Sequence, residues 1–182
     1  NAFSMCTECR KYYPEFRVSI NLSYVQILKS PLMMELKQII DHSGISCSGI
    51  IVELTESGYL EGTPAVRSVW NDMKQLRIQI ALDDFGTGYS NLMNISNLEP
   101  DIVKLDRGFT LKALSRSYEY QLMQYVIEMV HKLNQYVCVE GVETKEDLEK
   151  IKALGPDLIQ GYYYSKPCSR DEFLKKFFDY SE

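Results

Sequence analysis

The chain has 182 residues, of which 45% are hydrophobic and 25% charged, and its formal net charge is −5. This length suits one globular domain, and the acidic balance without a basic cluster argues against a protein that grips duplex nucleic acid. No apolar stretch approaches the ~20 residues of a membrane span, no signal peptide is recognisable, and the odd, scattered cysteines indicate reduced cytoplasmic thiols.

The predicted elements alternate between helices and short apolar strands. Apolar spacing, capping residues and prolines predict seven helices, with a further short one after a turn-rich loop at 86–91. In chain order the seven lie at about 3–13, 23–28, 31–42, 63–76, 115–134, 144–154 and 170–178. Between them stand six apolar runs of strand length, at 16–20, 50–52, 78–82, 102–103, 136–139 and 158–159.

Each of the six runs leads directly into polar or charged residues. These residues are Asn21, Glu53, the pair Asp83 and Asp84, Lys104, Glu140 and Gln160. Apolar strands alternating with helices predict a parallel α/β sheet that is buried on both faces. A doubly wound sheet has the same alternation but concentrates its ligands at one switch point. Polar groups after every strand therefore favour a TIM-type (β/α) barrel, whose strand ends share one functional face.

The strand-end residues form an oxygen-rich set that suits Mg²⁺ or Mn²⁺. Two such ions are a common device for cleaving a phosphodiester, and Lys104 adds a cation that can orient water. Taken singly, each residue has a structural alternative as a helix cap or a solvated strand edge. The kinase-like Asp84-Phe85-Gly86 lacks the other kinase motifs. Cys6-x-x-Cys9 lacks the second ligand pair of a zinc site.

Histidine and tyrosine side chains receive structural interpretations. We expect His42 and His131 to lie in helices without partners and to serve packing or the surface. The run from Tyr162 to Tyr164 has two interpretations, stacking on a base or packing, and we expect alternate members to pack the barrel and its neighbouring helix.

Six motifs, in this order, resemble those of the EAL-domain family, the bacterial cyclic-di-GMP phosphodiesterases. They are Asn21-Leu22-Ser23, Glu53-Leu54-Thr55-Glu56, the Asp83–Ser90 segment, Lys104-Leu105-Asp106, Glu140-Gly141-Val142-Glu143-Thr144 and Gln160-Gly161-Tyr162-Tyr163. The resemblance runs from about residue 15 to Pro167. It implies a TIM-type barrel that hydrolyses cyclic di-GMP to the linear dinucleotide pGpG with two Mg²⁺ or Mn²⁺ ions.

The resemblance also implies roles for particular residues. The implied metal ligands are Asn21, Glu53, Asp83, Asp84 and Glu140. The implied catalytic residues are Lys104, which positions or activates water, together with Glu140 and Glu143. The implied supporting residues are Asp106, Gln160, Glu56, Gly86 and Thr87. Glu56 would hold the loop that begins with Gly86 and Thr87, and in this family that loop couples the site to dimerisation.

The tripeptide Glu-Ala-Leu, which names the family, is absent from this sequence. It belongs on the first strand, and only twenty residues precede Asn21. We therefore expect residues 1–182 to be a partial EAL domain, with Asn1-Ala2 as a tag remnant and about six of the roughly eight strands of a complete barrel. Such a fragment is expected to be inactive or impaired, and its open edges are expected to favour a homodimer.

The parent protein is expected to be cytoplasmic, or anchored to a membrane through another domain, with a GGDEF or sensor domain upstream. An alternative function is a non-catalytic receptor for cyclic di-GMP or a module that binds another protein. The residue that occupies the Glu-Ala-Leu position in the parent would discriminate between the enzyme and the receptor.

Overall fold

The computed structural model describes residues 2–29, 31–55, 64–87, 95 and 98–178. Within them, six strands form one sheet in sequence order, and every neighbouring pair is parallel. The strands are β1 (Val18–Asn21), β2 (Ile50–Thr55), β3 (Gln79–Phe85), β4 (Ile102–Leu105), β5 (Tyr136–Glu140) and β6 (Leu158–Gln160). The predicted α/β class and the six parallel strands are confirmed.

Eight helices in the described part of the chain precede, connect or follow these strands. They are α1 (Ala2–Cys9), α2 (Tyr24–Lys29), α3 (Leu32–Ser43), α4 (Pro64–Gln75), α5 (Arg107–Ser115), α6 (Ser117–Lys132), α7 (Lys145–Lys152) and α8 (Arg170–Phe177). A 3₁₀ turn at Cys47–Gly49 leads into β2. The predicted capping box at the start of α7 is confirmed, because the Thr144 hydroxyl accepts from the Asp147 N–H while the Asp147 carboxylate accepts from the Thr144 N–H.

Two helix predictions are wrong in extent. The first helix ends at Cys9 rather than near residue 13. The predicted helix at 115–134 is α6, which begins at Ser117 and ends at Lys132, because Arg116 has an extended backbone (φ −139°, ψ 130°) that separates α6 from α5. Helix α5 is absent from the sequence prediction, although its N-cap is visible in the sequence: the Asp106 carboxylate accepts a hydrogen bond from the Gly108 N–H.

The two faces of the sheet carry different side chains. The outer face packs against the helices in the main hydrophobic core, which includes fully buried Ile80, Leu82 and Val103. The inner face carries a smaller apolar cluster of Ile51, Ala81, Ile102 and Cys138. Because side chains alternate between faces along a strand, the residues two positions further on, Glu53, Asp83, Lys104 and Glu140, lie on the same inner face.

Helix α8 lies beside the concave inner face. Its Leu174, with Phe178 just beyond the helix, packs on Cys9 of α1, and Arg170 forms an ion pair with Glu8. Phe173 and Phe177 line the inner cavity. The N-terminal and C-terminal helices are therefore in contact, and the inner cavity lies between α8 and the sheet.

Two expectations about aromatic and histidine side chains are wrong. Tyr162, Tyr163 and Tyr164 are all exposed, because the chain forms a turn immediately after β6 instead of continuing into the core. His131 does have a partner, since its Nε2 lies 2.9 Å from Asp157 Oδ2. Within the described part of the chain, no helix combines the length and apolar character needed to cross a membrane.

Candidate active site

The ends of β2, β3, β4 and β5 bring together one lysine and three carboxylates. Lys104 Nζ lies 2.8 Å from Glu53 Oε2, 3.0 Å from Asp83 Oδ1 and 2.7 Å from Glu140 Oε1. All four side chains are largely buried, with Lys104 only 5% exposed. We call these four residues the acid cluster. It contains four of the residues that the sequence predicted for the site.

The acid cluster depends on the curvature of the sheet. Neighbouring strands lie ~4.8 Å apart, so β2 and β5, three positions apart, would be separated by about 14 Å in a flat sheet. Yet Glu53 on β2 and Glu140 on β5 contact the same nitrogen atom of Lys104. The sheet must therefore curl around its inner face, as the strands of a barrel do.

The charges of the acid cluster strongly influence one another. Burial acts to lower the pKa of Lys104, but its hydrogen bonds with Glu140 and Glu53 and the nearby charge of Asp83 outweigh burial and raise that pKa. Lys104 is therefore a fixed cation. Burial raises the pKa of Glu140, and the hydrogen bond from Lys104 opposes this shift without cancelling it. Glu140 is thus the member of the cluster that accepts a proton more readily than an ordinary glutamate.

An apolar layer lies directly beneath the acid cluster. Ile51, Ala81, Ile102 and Cys138 precede the cluster residues by two positions and form a buried group of their own. Burial raises the pKa of the Cys138 thiol to about 12, so this cysteine remains a protonated packing residue. The layer limits water access from below, which strengthens electrostatic interactions at the site.

The Asp83-Asp84 pair lies at an irregularity in β3. The pairing of β3 with β4 shifts between Leu82 and Phe85, and Asp84 has a left-handed backbone with φ +61°. The Asp84 N–H donates to Asp83 Oδ1 at 3.0 Å. Such bulges redirect side chains and recur beside active sites. The bulge leaves both aspartates half-buried at the strand end.

The turn after β3 requires a glycine. Gly86 has φ +104°, and a Cβ at this position would lie 2.9 Å from Cδ1 of Phe109 on α5. Thr87 is exposed. The expected partner of this loop, Glu56, lies outside the described residues, so its predicted role remains a prediction.

Asn21 and Gln160 stand at the two edges of the sheet. Asn21 ends β1, pairs in register with Glu53, and lines a separate cavity of about 330 Å³ beside α3. Gln160 ends β6 and lines the same cavity of about 560 Å³ as Glu53 and Lys104. Both residues are exposed. The structure therefore places Gln160 at the main cavity and leaves Asn21 beside it, outside the acid cluster.

Glu143 is held by an arginine that the sequence interpretation does not include. Arg107 Nη2 lies 2.7 Å from Glu143 Oε1, and Arg107 also packs against Gly141, where a Cβ would overlap the Arg107 side chain. Asp106 caps α5 beside it. Arg107 directly follows the Lys104-Leu105-Asp106 motif, and this position is the feature of the sequence that could have predicted a role for it at the site.

The acid cluster fits a divalent cation by donor chemistry. Three carboxylates from three strands converge on one point, and hard oxygen donors are those that Mg²⁺ and Mn²⁺ prefer. Among the described residues, no group of three His, Cys, Asp or Glu side chains is arranged to hold a metal ion, and the three carboxylates contact the Lys104 ammonium instead. Glu53, Asp83 and Glu140 are the residues that would hold a metal here.

The curled parallel sheet, with its acidic strand ends around a buried lysine, defines an incomplete α/β barrel with a polar site at the carboxyl ends of its strands. The family model described as "EAL domain" matches residues 1–167 of this chain. The chain therefore belongs to the EAL domain family, and its fold is that of a TIM-type barrel with six strands present.

The chain is also similar to individual proteins of known name and structure. The chain is 32% identical over 160 residues to the cyclic di-GMP phosphodiesterase PdeF of Escherichia coli, a match that covers 88% of this chain and 21% of PdeF. The chain thus spans about a fifth of that relative. The EAL enzyme Bd1971, in its cAMP- and cyclic-di-GMP-bound form, superposes with a TM-score of 0.88 at 27% identity, over 96% of this chain and 49% of Bd1971.

A second solved structure contains a metal. Klebsiella pneumoniae BlrP1, in a manganese and cyclic-di-GMP complex, matches with a TM-score of 0.84 at 25% identity, over 93% of this chain and 43% of BlrP1. The homologues support phosphodiesterase activity at the level of the family. Both solved relatives bind cyclic di-GMP, and the BlrP1 complex also contains manganese.

Proposed function

We propose that this EAL domain hydrolyses cyclic di-GMP to pGpG within a longer protein, using two Mg²⁺ or Mn²⁺ ions. The observation that carries the proposal is the convergence of Glu53, Asp83 and Glu140 on Lys104 at the carboxyl ends of the strands. The relative PdeF is named as an enzyme of this activity. A negative pocket requires metal to accept an anionic phosphodiester, and a manganese-bound relative supports that use.

Residues at the strand ends would hold the two metal ions. Glu53, Asp83, Asp84 and Glu140, with Asn21 from the neighbouring edge strand, would hold the ions. Bound divalent ions neutralise charge on the phosphate and lower the pKa of bound water.

Lys104 is a fixed cation, so it would orient the attacking water and stabilise negative charge rather than accept a proton. Glu140, as one of the residues that would hold the ions, would act on that water through the bound metal and not as a free proton acceptor, because a bound cation opposes protonation of its ligands. Glu143, Asp106, Gln160 and the Gly86-Thr87 turn would position these groups and the substrate from the rim.

The decisive experiment measures Mn²⁺-dependent conversion of cyclic di-GMP to pGpG by chromatography. It compares the 182-residue chain with a form extended at its N-terminus by the parent sequence. We expect activity in the extended form and little in the shorter one, because six strands do not close an eight-stranded barrel. Equal, vigorous activity in both would refute the need for further strands.

One variant that should lose activity and one matched control variant test whether the activity depends on the acid cluster. Asp83→Asn in the extended form is expected to lower kcat by at least about 100-fold, because it removes a charge from the acid cluster. Glu119→Gln removes an equivalent charge from an ion pair with Arg116 that includes no acid-cluster residue, and should leave kcat unchanged. Tight binding of cyclic di-GMP without turnover in the unmodified extended form would instead support the receptor alternative.

We also propose that the domain forms a homodimer. Tyr118, Leu122 and Tyr125 are exposed at helical spacing on α6, and contiguous exposed apolar surface is characteristic of interaction sites. Analytical ultracentrifugation of Tyr125→Lys tests this surface, with Tyr136→Lys, an exposed tyrosine at the start of β5, as the control. A dimer that survives Tyr125→Lys would point to the edges of β1 and β6 instead.

The parent protein is proposed to be cytoplasmic or membrane-anchored through another domain, with a GGDEF or sensor domain upstream. The support is the small share of PdeF that the chain covers. The residue at the Glu-Ala-Leu position of the parent and the domains encoded before it would test this directly.

A further inference from the structure

The ammonium group of Lys104 occupies the centre of the carboxylates that would bind metal. Its three contacts come from three different strands, and each is 3.0 Å or shorter. We propose that Lys104 is the internal counter-ion of the acid cluster in the metal-free protein, and that a divalent cation competes with it for the same carboxylate oxygens. This proposal rests on the metal site of the proposed function.

The charges of the acid cluster require such a counter-ion. Three carboxylates against one ammonium leave two negative charges among the four side chains. Removing Lys104 would leave three like charges that are each largely buried, a strongly unfavourable arrangement. The metal-free fold should therefore depend on Lys104.

The surroundings of Lys104 leave its ammonium little room to withdraw. The Lys104 side chain is 5% exposed, and the apolar residues Ile102 and Cys138 lie beneath it in the inner layer. A cation that binds the Glu53, Asp83 or Glu140 oxygens must therefore lie close to the ammonium. Repulsion between the two positive charges weakens the binding of that cation, so Lys104 sets an upper limit on metal affinity.

The test replaces Lys104 with methionine, which retains most of the length of the side chain and removes its charge. Isothermal titration with Mn²⁺ should show affinity raised by roughly ten- to a hundredfold over the unmodified chain, because a charge–charge repulsion at short range is removed. Thermal unfolding without metal should occur at a lower temperature, and saturating Mn²⁺ should raise the unfolding temperature by more than it does for the unmodified chain.

Two further variants serve as controls. Lys150→Met removes a lysine charge from an exposed pair with Glu146 on α7 and should leave Mn²⁺ affinity unchanged. Lys104→Arg keeps the charge and should not tighten binding. Tighter binding in both Lys104 variants would show that side-chain packing, not charge, limits the affinity, and would overturn the proposal.

The folded state of Lys104→Met determines how its result is interpreted. If the variant is unfolded without metal, recovery of its far-ultraviolet circular dichroism on addition of Mn²⁺ supports the proposal, and no recovery at millimolar Mn²⁺ overturns it. If the unmodified chain binds Mn²⁺ and the folded variant binds no more tightly, the inference fails while the metal site stands. If neither protein binds Mn²⁺, also when both are extended at the N-terminus by the parent sequence, the metal site fails and the inference fails with it.

Discussion

Replacing Gly161 with alanine should destabilise the rim of the barrel where β5 and β6 end. A Cβ at Gly161 would overlap the carbonyl oxygen of Val142 and lie 2.5 Å from its nitrogen. These are backbone atoms of a fully buried residue. The Val142 N–H donates to the Gln160 carbonyl at 3.3 Å, and the Tyr163 N–H donates to the Val142 carbonyl at 3.0 Å. Neither segment can move without weakening these hydrogen bonds.

The magnitude follows from the required displacement. Ordinary van der Waals contact of a Cβ begins near 3.4 Å, so the Val142 nitrogen must move by about 0.9 Å and its carbonyl oxygen by about 1.4 Å. Two weakened hydrogen bonds contribute about 1 kcal/mol each, and overpacking adds about 1–3 kcal/mol. We expect the free energy of unfolding to fall by about 3–5 kcal/mol, which corresponds to roughly 6–20 °C in Tm for a chain of this length.

The assay is urea unfolding followed by circular dichroism, with Gly155→Ala as the control. Gly155 has φ +74°, and no atom lies within 4 Å of the position that a Cβ would take, so alanine there suffers only the left-handed backbone cost of about 1–2 kcal/mol. An unchanged denaturant slope would show that two-state unfolding is retained. If Gly161→Ala lowers stability no more than Gly155→Ala, the predicted clash with Val142 is wrong.

Three further outcomes are expected from the described contacts. Thr144→Ala should lower the free energy of unfolding by about 1 kcal/mol in the same urea assay, because it removes the N-cap of α7. At pH 8 a thiol reagent should modify exposed Cys168 rapidly and buried Cys138 only on unfolding. Because the folded pKa of Cys138 is raised from 9.0 to about 12, its contribution to stability is full below pH 9 and is lost as the pH rises towards 12. Cys138→Ala should therefore flatten the decline in Tm between pH 9 and about pH 11, and an unaltered decline would contradict the raised pKa.

The strand ends could be predicted because the pattern is local. A parallel strand buried on both faces is a continuous apolar run, and its carboxyl end is where polar residues become tolerable. Glu53, Lys104 and Glu140 each follow such a run directly, and all three lie in the acid cluster. The apolar run at 16–20 begins two residues before the strand, because β1 starts at Val18. Arg17 precedes β1, and its guanidinium donates to Gln79 Oε1 at 2.7 Å.

The contacts between strand ends could not be predicted in the same way. The central position of Lys104 depends on how far the sheet curls, and the curvature of a sheet cannot be predicted from the residues of a short apolar run. The Arg107–Glu143 pair joins residues 36 positions apart, and it arises because α5 begins directly after β4. Asn21 stands outside the acid cluster because β1 is an edge strand of the six.

The apolar layer and the acid cluster above it together explain why the carboxyl ends of the strands are suited to cations. The apolar layer of Ile51, Ala81, Ile102 and Cys138 keeps the carboxylates above it poorly hydrated, and poorly hydrated carboxylates are stable only beside positive charge. Lys104 supplies one such charge from within the chain. The remaining negative charge can be neutralised by a proton, which the raised pKa of Glu140 favours, or by a bound cation. A proton and a metal ion therefore compete for the oxygens of Glu140. Metal affinity should rise with pH, because Glu140 loses its proton as the pH rises.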